Sequence, residues 1–240
     1  MESSNYPTEI IELPSKGLIY PKDHLLRSGK VEMKYMTARE EDILTNQNLI
    51  GNGTVLDKLL EALTLGKFDI KDMSLGDKNA IFMGARILGY GSEYKFIHGE
   101  EEHVVDLSLL EPKPFNTEIC DEDGHISFTF PNSNNEITFK ILTEKDETKI
   151  SSEIKSLEKI KTKGGGEVTT RLKHQIISLN GDANKETIRS FVENHLLAQD
   201  SRALRNYIKE ISPDIDLKHI LENGDIISIP INIGFFWPDL

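Results

Sequence analysis

The stretch GDKNAIFMGARILGYGSEYKFI, residues 76–97, contains a helix pattern followed directly by a strand pattern. Ile81, Ala85 and Leu88 recur at helical spacing, so we predict a helix from the first residue of this stretch to Leu88, with these side chains buried. The GYG that follows breaks the helix, and EYKFI predicts the first strand of a hairpin. A helix that leads so directly into a hairpin indicates an α+β protein.

The same two patterns recur on both sides of this stretch. Apolar residues at helical spacing predict further helices over 38–45, 54–66, 147–163, 185–196 and 200–211. Alternating residues predict strands over 30–36, 93–97, 103–108, 125–131, 136–142 and 225–234. Thr37 and Glu40 have the spacing of a capping box, which predicts where the first helix begins. We therefore predict an α+β fold of helical segments and short antiparallel hairpins.

Both ends of the chain differ from the rest. Residues 5–22 hold three prolines, which fix φ and remove backbone donors, so we predict an extended N-terminal arm. Phe235, Phe236 and Trp237 form an aromatic C-terminal tail. Either this tail folds back into the core of the protein, or it anchors in a partner, where aromatic side chains often carry binding energy.

The predicted elements divide into two parts. Residues 1–142 hold the arm, three helices and two hairpins, and residues 143–240 hold the later helices, a strand and the aromatic tail. The glycine run 164–166 is interpreted as a flexible linker. It lies either between two domains or inside one interwoven domain. The stretch RLKHQIISLNGD, residues 171–182, is compatible with a strand or with the end of a helix.

The charge and composition of the chain exclude several classes of function. Its 240 residues include 28 Lys and Arg against 40 Asp and Glu, which gives a formal net charge of −12. Nucleic acid is not an expected partner, because binding phosphates requires clustered cations. No apolar run approaches the roughly 18 residues of a membrane helix, and no signal peptide is expected. The single cysteine, Cys120, cannot form an internal disulfide.

Residue types that serve in catalysis do not form a recognisable motif. The 7 histidines lack the H-E-x-x-H spacing of a zinc enzyme and have no set of cysteine partners. The glycine run lacks the Lys-Ser/Thr that completes a phosphate loop. Cys120 lies in the acidic stretch EICDED, which is expected to raise its pKa and weaken it as a nucleophile. We predict a protein that is not an enzyme and uses no metal or cofactor.

The stretch DSRALRNYIKEISPDID, residues 200–216, predicts a complete amphipathic helix that ends before its proline. Its apolar stripe, which is predicted to face the core, consists of Leu204, Tyr207, Ile208 and Ile211. Asp200 or Ser201 is expected to cap the helix. Arg202 and Arg205 lie off this stripe, where they would either bind a carboxylate across an interface or remain solvated.

Three blocks of the sequence together resemble one known family. They are LPSKGLIYP with MTAREEDILT (13–21 and 36–45), GDKNAIFMGARILGYGSEY leading into VDLS (76–94 and 105–108), and ISLNGD with FVENHLLAQDSRALRNYIKEISPDID and IPINIGFFWP (177–182, 191–216 and 229–238). This pattern resembles the T-even phage baseplate hub subunit family of contractile-tailed viruses. The resemblance covers most of the chain and is weakest over 115–170. Its last block is the most specific.

The resemblance implies a non-enzymatic component of the baseplate hub that helps to assemble the centre of a phage tail. Its partners would be other tail and hub proteins, and a homo-oligomer is left open. One alternative is a transient assembly chaperone that is absent from the mature virion. A less favoured alternative is a tail-associated lytic enzyme. The chain would act in the host cytoplasm during assembly and, as a structural subunit, in the tail baseplate.

Within this interpretation, the arm, the helix over 200–211 and the tail are predicted to contact partners. The residues predicted to bind partners are Arg202, Arg205, Tyr207, Phe235, Phe236 and Trp237. Many sequences similar to this family carry cysteine pairs near their β-segments, which would suit a small metal site. The matching regions here, IHGEEEHVVDL and ILENGDIISIP, contain no cysteine, so no metal is predicted.

Overall fold

The computed structural model describes residues 6–99, 101–159, 166–221 and 224–236. Its helices are α1 (Ala38–Leu44), α2 (Gln47–Gly51), α3 (Val55–Leu63), α4 (Leu75–Tyr90), α5 (Glu144–Lys159), α6 (Glu167–Gln175), α7 (Lys185–Asn194), α8 (Ala198–Ile211) and α9 (Ile233–Phe236). Its strands are β1 (Thr8–Glu12), β2 (Lys30–Lys34), β3 (Glu93–His98), β4 (Glu101–Asp106), β5 (His125–Thr129), β6 (Glu136–Lys140), β7 (Ile176–Leu179), β8 (Lys218–Ile220) and β9 (Ile226–Ser228). They pair antiparallel in the sheets β1–β2, β3–β4, β5–β6–β7 and β8–β9. The predicted α+β fold is confirmed.

Helix α4 lies at the centre of the fold. It begins after Ser74, whose hydroxyl accepts a hydrogen bond from the backbone of Asp77, and buried residues surround the helix axis. The first turn packs directly on the loop after α8, because a Cβ on Gly76 would meet the carbonyl oxygen of Pro213 at 1.9 Å. A helix buried on all sides belongs to the core of a protein. The helix predicted to end at Leu88 is confirmed and runs two residues further; Ile81 and Ala85 are buried as predicted, but Leu88 is only half-buried.

The N-terminal segment is extended, as predicted, only at β1; residues 14–19 form turns, and the segment is not a free arm. Strand β1 pairs with β2, and the chain then turns into the core, where Leu13 and Tyr20 are each 2% exposed. The turn needs Gly17, which has φ of 77° and would place a Cβ 2.5 Å from the carbonyl oxygen of Arg27. The prediction that this segment contacts partners as an arm is therefore wrong for its buried part.

The C-terminal aromatic residues also lie inside the protein. The strand predicted over 225–234 is limited to β9, and α9 then carries Phe235 and Phe236, both of them 0% exposed. Their rings lie 5.1 Å from the ring of Tyr94 and 6.0 Å from that of Phe82, respectively. The tail thus folds back onto the chain at these two positions, because burying two phenylalanine rings removes a large apolar area from water.

The stretch left open between strand and helix contains both. Helix α6 ends at Gln175 and β7 begins at the next residue, with no loop between them. Strand β7 pairs with β6, and the hydroxyls of Thr138 and Ser178 are 2.7 Å apart across that pair. The helix therefore ends where the chain begins to pair with β6, about forty residues earlier in the sequence.

Most of the predicted glycine linker, residues 164 and 165, lies outside the described residues.

One cluster of buried side chains contains residues from both predicted parts of the chain. Its members include Leu60 and Phe139 from residues 1–142, and Leu204 and Phe236 from residues 143–240. Backbone hydrogen bonds also join the parts, for example from the amide of Lys113 to a carbonyl in the loop after α8. The buried residues therefore favour the interwoven alternative over two separate cores.

Asp200 does not cap its own helix. Helix α8 begins after Leu197, which makes no side-chain cap, and the carboxylate of Asp200 instead accepts hydrogen bonds from the backbone amides of Asn132 and Ser133 and from the side-chain amide of Asn132. Burial tends to raise the pKa of Asp200, but these hydrogen bonds outweigh it and hold the pKa below its ordinary value. The prediction that Asp200 or Ser201 caps the helix is wrong, because the helix begins before both residues and the Asp200 carboxylate is satisfied by a turn distant in sequence.

Replacing Asp200 with alanine is expected to lower the free energy of unfolding by about 2 kcal/mol, because two backbone amides lose their acceptor. A lowered carboxyl pKa stabilises the folded state above the unfolded-state pKa of about 4 and loses that effect as pH falls through the folded value. The loss should therefore be full at neutral pH and shrink in acid, as measured by urea denaturation. Glu210→Ala, an exposed change on the same helix, is the control; an equal loss in this control would contradict the prediction.

Candidate functional site

The hairpins β3–β4 and β8–β9 meet beside the C-terminal end of α4. Tyr94 on β3 is buried against α9, and Phe96, two residues on, faces the same side of the strand. The ring of Phe96 lies 5.5 Å from that of His103 on β4 and 6.4 Å, edge-on, from that of His219 on β8. An aromatic layer therefore joins the two hairpins to each other and to the core.

The opposite sides of these strands carry exposed β-branched residues. Ile97 is 77% exposed and Val104 51% exposed on the first hairpin, while Ile220 and Ile226 are 66% and 65% exposed on the second. Ile220 and Ile226 are directly paired across the strands. Val104 and Ile220 both line a cleft of about 810 Å³ between the hairpins. We call Ile97, Val104, Ile220 and Ile226 the hairpin surface.

A surface of this kind is suited to binding a protein. Four large apolar side chains on one pair of hairpins are costly to leave in water, and such groups commonly mark interaction sites. The hairpins are two-stranded sheets, so their outer edges also offer backbone donors and acceptors that could pair with a further strand. Charged residues border the cleft at Glu101 and Glu102. The cleft thus combines apolar and charged side chains, as protein interfaces do.

The residues predicted to bind partners are not brought together. Arg202 and Arg205 are exposed on α8, and Arg205 donates a hydrogen bond to the backbone carbonyl of Ser201. Tyr207 is half-buried, with its ring 5.1 Å from that of Phe128, so it mainly completes the core. Phe235 and Phe236 are in the core and cannot contact a partner, which corrects their prediction as contact residues. Trp237 lies outside the described residues.

The hairpin surface was not predicted, although the sequence contains a signal for it. Neighbouring apolar residues occur in the HVVDLS and DIISIP segments. Because successive side chains of a strand point to opposite faces, one member of each pair must face away from the core unless both faces are buried. Only the packing of the hairpins decides which face remains in water.

The described residues also contain a buried network that resembles a catalytic constellation. The carboxylate of Asp77 accepts hydrogen bonds from the Tyr20 hydroxyl at 2.5 Å, from the Ser15 hydroxyl at 2.7 Å and from the Ser15 amide at 3.0 Å. Burial raises the pKa of Asp77, and the hydrogen bonds oppose it only in part. All three residues are at most 2% exposed, so no substrate reaches the carboxylate while the fold is closed. The network is structural.

Neither Cys120 nor a metal offers an evident chemical centre in the part of the chain that the structure describes. Cys120 is half-buried, and burial first, then the charge of Asp121, raises its pKa to about 11 against the opposing effect of Arg27. The direction of this shift is as predicted, but burial is its main cause. Within the described ranges, no three His, Cys, Asp or Glu side chains are grouped so that they could hold a metal ion.

Comparison with known proteins finds no matching family model, no similar curated protein and no similar solved structure. Among the described helices, none has the length and apolar character needed to cross a membrane.

Proposed function

We propose that this chain is a non-enzymatic component of the baseplate hub of a contractile phage tail and acts through protein–protein contacts during hub assembly. The identification of the hub rests on the three sequence blocks that resemble the baseplate hub subunit family. The contact role rests on the hairpin surface, whose apolar side chains lie in water in the isolated chain. The enclosed position of Asp77 and the raised pKa of Cys120 support the non-enzymatic part of the proposal.

The hairpin surface would form the apolar centre of the contact with another tail protein. Arg202 and Arg205 stay in the proposal as secondary contacts, since both residues are exposed and arginine is suited to binding carboxylates of a partner. Two roles fit this arrangement. A structural subunit keeps its contact in the finished tail, whereas a chaperone releases it when the hub is complete.

Substituting the hairpin surface is expected to weaken partner binding without unfolding the chain. Ile97→Lys and Ile220→Lys both alter exposed side chains, so the melting temperature should stay close to that of the wild type. Placing a lysine in an apolar contact should reduce affinity by about tenfold or more, as substitutions at the centre of an interface do. Leu25→Lys is the matched control, because Leu25 is 67% exposed and lies on a different turn of the chain.

The measurement is quantitative mass spectrometry of tail particles and of assembly intermediates from cells infected by phage carrying each variant. A fixed ratio to other tail proteins in purified particles identifies a subunit, and presence on intermediates alone identifies a chaperone. The hub proposal is overturned if the wild-type chain occurs in neither fraction. The contact role of the hairpins is overturned if the control reduces incorporation as much as the hairpin variants do.

A further inference from the structure

A groove between α5, α6 and α7 carries more positive than negative charge, although the chain as a whole is strongly acidic. Its volume is about 590 Å³. The cationic side chains that line it are Lys140, Lys149, Lys173, Lys185 and Arg189. Only two carboxylates line it with them, those of Asp146 and Glu153. We call this site the cationic groove.

Part of this positive charge is used by the fold. Lys140 pairs with Asp146 at 2.7 Å, and Lys173 lies 3.1 Å from both Glu153 and Glu193. Glu193, which is not part of the groove lining, also pairs with Arg189 at 3.2 Å. These pairs join β6 to α5, and α6 to α5 and α7. They account for the structural role of three of the five cations.

Lys149 and Lys185 are different, because neither forms an ion pair with any of the described residues. Both are exposed and both line the groove. Counting Glu193 with the lining residues, five cations face three carboxylates, which leaves an excess of two positive charges. In a chain of net charge −12, a groove with this local excess attracts a negatively charged ligand that would be repelled elsewhere on the surface.

The floor of the groove selects among negatively charged ligands. Its accessible apolar part is mainly the half-buried Ile177, while Ile176 and Ile188 also line the groove but are only 3% and 4% exposed. An apolar floor beneath a cationic rim complements a peptide that carries apolar side chains among its carboxylates. A nucleic-acid backbone fits less well, because it requires a continuous track of cations and most of these are already paired.

From this complementarity we infer that the cationic groove binds an acidic, partly apolar segment of a partner protein. This site is separate from the hairpin surface, and it does not depend on the proposed hub role. Lys149 and Lys185 supply the charge that attracts the segment, and the apolar lining at Ile177 contacts its apolar side chains. The partner is thereby defined by chemistry as an acidic peptide segment.

The test uses the purified full chain and a fluorescent peptide of repeating Glu-Glu-Leu at low salt. The wild type is expected to bind it, and the double change Lys149→Glu with Lys185→Glu should weaken binding by about tenfold or more, because attraction becomes repulsion at both positions. The control is Lys155→Glu with Lys209→Glu, which alters the net charge equally at exposed positions outside the groove lining. It should change binding less than about twofold.

Four outcomes overturn the inference. These are no binding to the wild type, an equal loss in the two double variants, equal binding of a repeating Gln-Gln-Leu peptide, and tighter binding of a single-stranded DNA oligonucleotide. Methyl NMR supplies a second measurement, in which the Ile176, Ile177 and Ile188 signals should shift on adding the acidic peptide. None of these results depends on phage tails, so this inference and the hub proposal can fail separately.

Discussion

Replacing Asp77 with alanine should destabilise the protein by about 4 kcal/mol, because three buried hydrogen-bond donors lose their acceptor together. The donors are the Tyr20 hydroxyl and the hydroxyl and amide of Ser15, and none of them can turn to water. The network also fixes the N-terminal segment against the first turn of α4, so the loss should reach β1. Urea denaturation of the variant measures the change in the free energy of unfolding.

Two control variants separate the hydrogen bonds from the charge. Asp77→Asn keeps the size and one acceptor oxygen and should cost less than the alanine change. Tyr20→Phe removes a single donor and should cost about 1–3 kcal/mol. If Asp77→Ala costs no more than Tyr20→Phe, then the carboxylate does not organise the network and the prediction is wrong.

The same network makes the stability of the folded protein depend on pH in the alkaline range. Burial, followed by the nearby charge of Asp77, raises the pKa of Tyr20 well above its ordinary value. A group whose pKa is raised on folding stabilises the folded state below its unfolded-state pKa, here about 10, and this effect is lost as pH rises through the folded value. Stability should therefore fall above about pH 10 in the wild type, and less steeply in Tyr20→Phe.

Burial also raises the pKa of Asp77, so ionising this carboxyl is less favourable in the folded chain than in the unfolded chain. The sign is the same as for Tyr20: the contribution of Asp77 is largest below the ordinary carboxyl pKa and declines as pH rises through the folded value. Asp77→Asn should remove this part of the dependence. Acid and alkaline denaturation curves of the two variants distinguish the carboxyl from the phenol.

Replacing Arg86 with alanine should destabilise the protein by about 3–5 kcal/mol and release α9 from the core. Arg86 is 1% exposed, and its guanidinium donates hydrogen bonds to the backbone carbonyls of Phe235 at 3.0 Å, Gly91 at 2.8 Å and Glu93 at 3.1 Å. The change leaves these acceptors without that donor and opens a cavity beside the rings of Tyr90 and Tyr94, over which the guanidinium lies.

Hydrogen exchange followed by mass spectrometry tests this prediction at the level of the affected element. Peptides that contain α9 should exchange faster in Arg86→Ala, whereas peptides from β2 should change far less. Arg86→Lys should be intermediate, because an ammonium group keeps the charge but cannot reproduce the planar fork. Arg202→Ala is the control and should cost less than about 0.5 kcal/mol, since its side chain is exposed. Equal protection of α9 in Arg86→Ala would contradict the prediction.

Local sequence patterns were sufficient to predict most of the secondary structure. The Thr37–Glu40 capping box is present at the start of α1, and Leu59, Leu60 and Leu63 form the buried stripe of α3. Both predicted hairpins are found close to their predicted positions. These features depend on residues within a few positions of one another, so they are readable along the chain. The short helix α2, whose cap is Asn46, was missed because it contains a single turn.

The candidate site was less predictable. Exposure of Arg202 and Arg205 follows from their position off the apolar stripe, and this much is observed. The hairpin surface was missed, and the aromatic tail was assigned to partner contacts as well as to the core. In each case the sequence pattern shows that a side chain is apolar, but whether that side chain is covered depends on parts of the chain distant in sequence.

The sequence by itself determined the α+β class, the positions of most helices and hairpins, and the acidic charge, because each depends on composition or on neighbours a few residues apart. Only the tertiary structure decided that Asp200 caps a turn 67 and 68 residues away and that Arg86 holds a carbonyl 149 residues away. It also left the hairpin surface in water. The physical reason is that burial and hydrogen bonding are satisfied by whichever groups the fold brings together, and their separation along the chain carries no local signal.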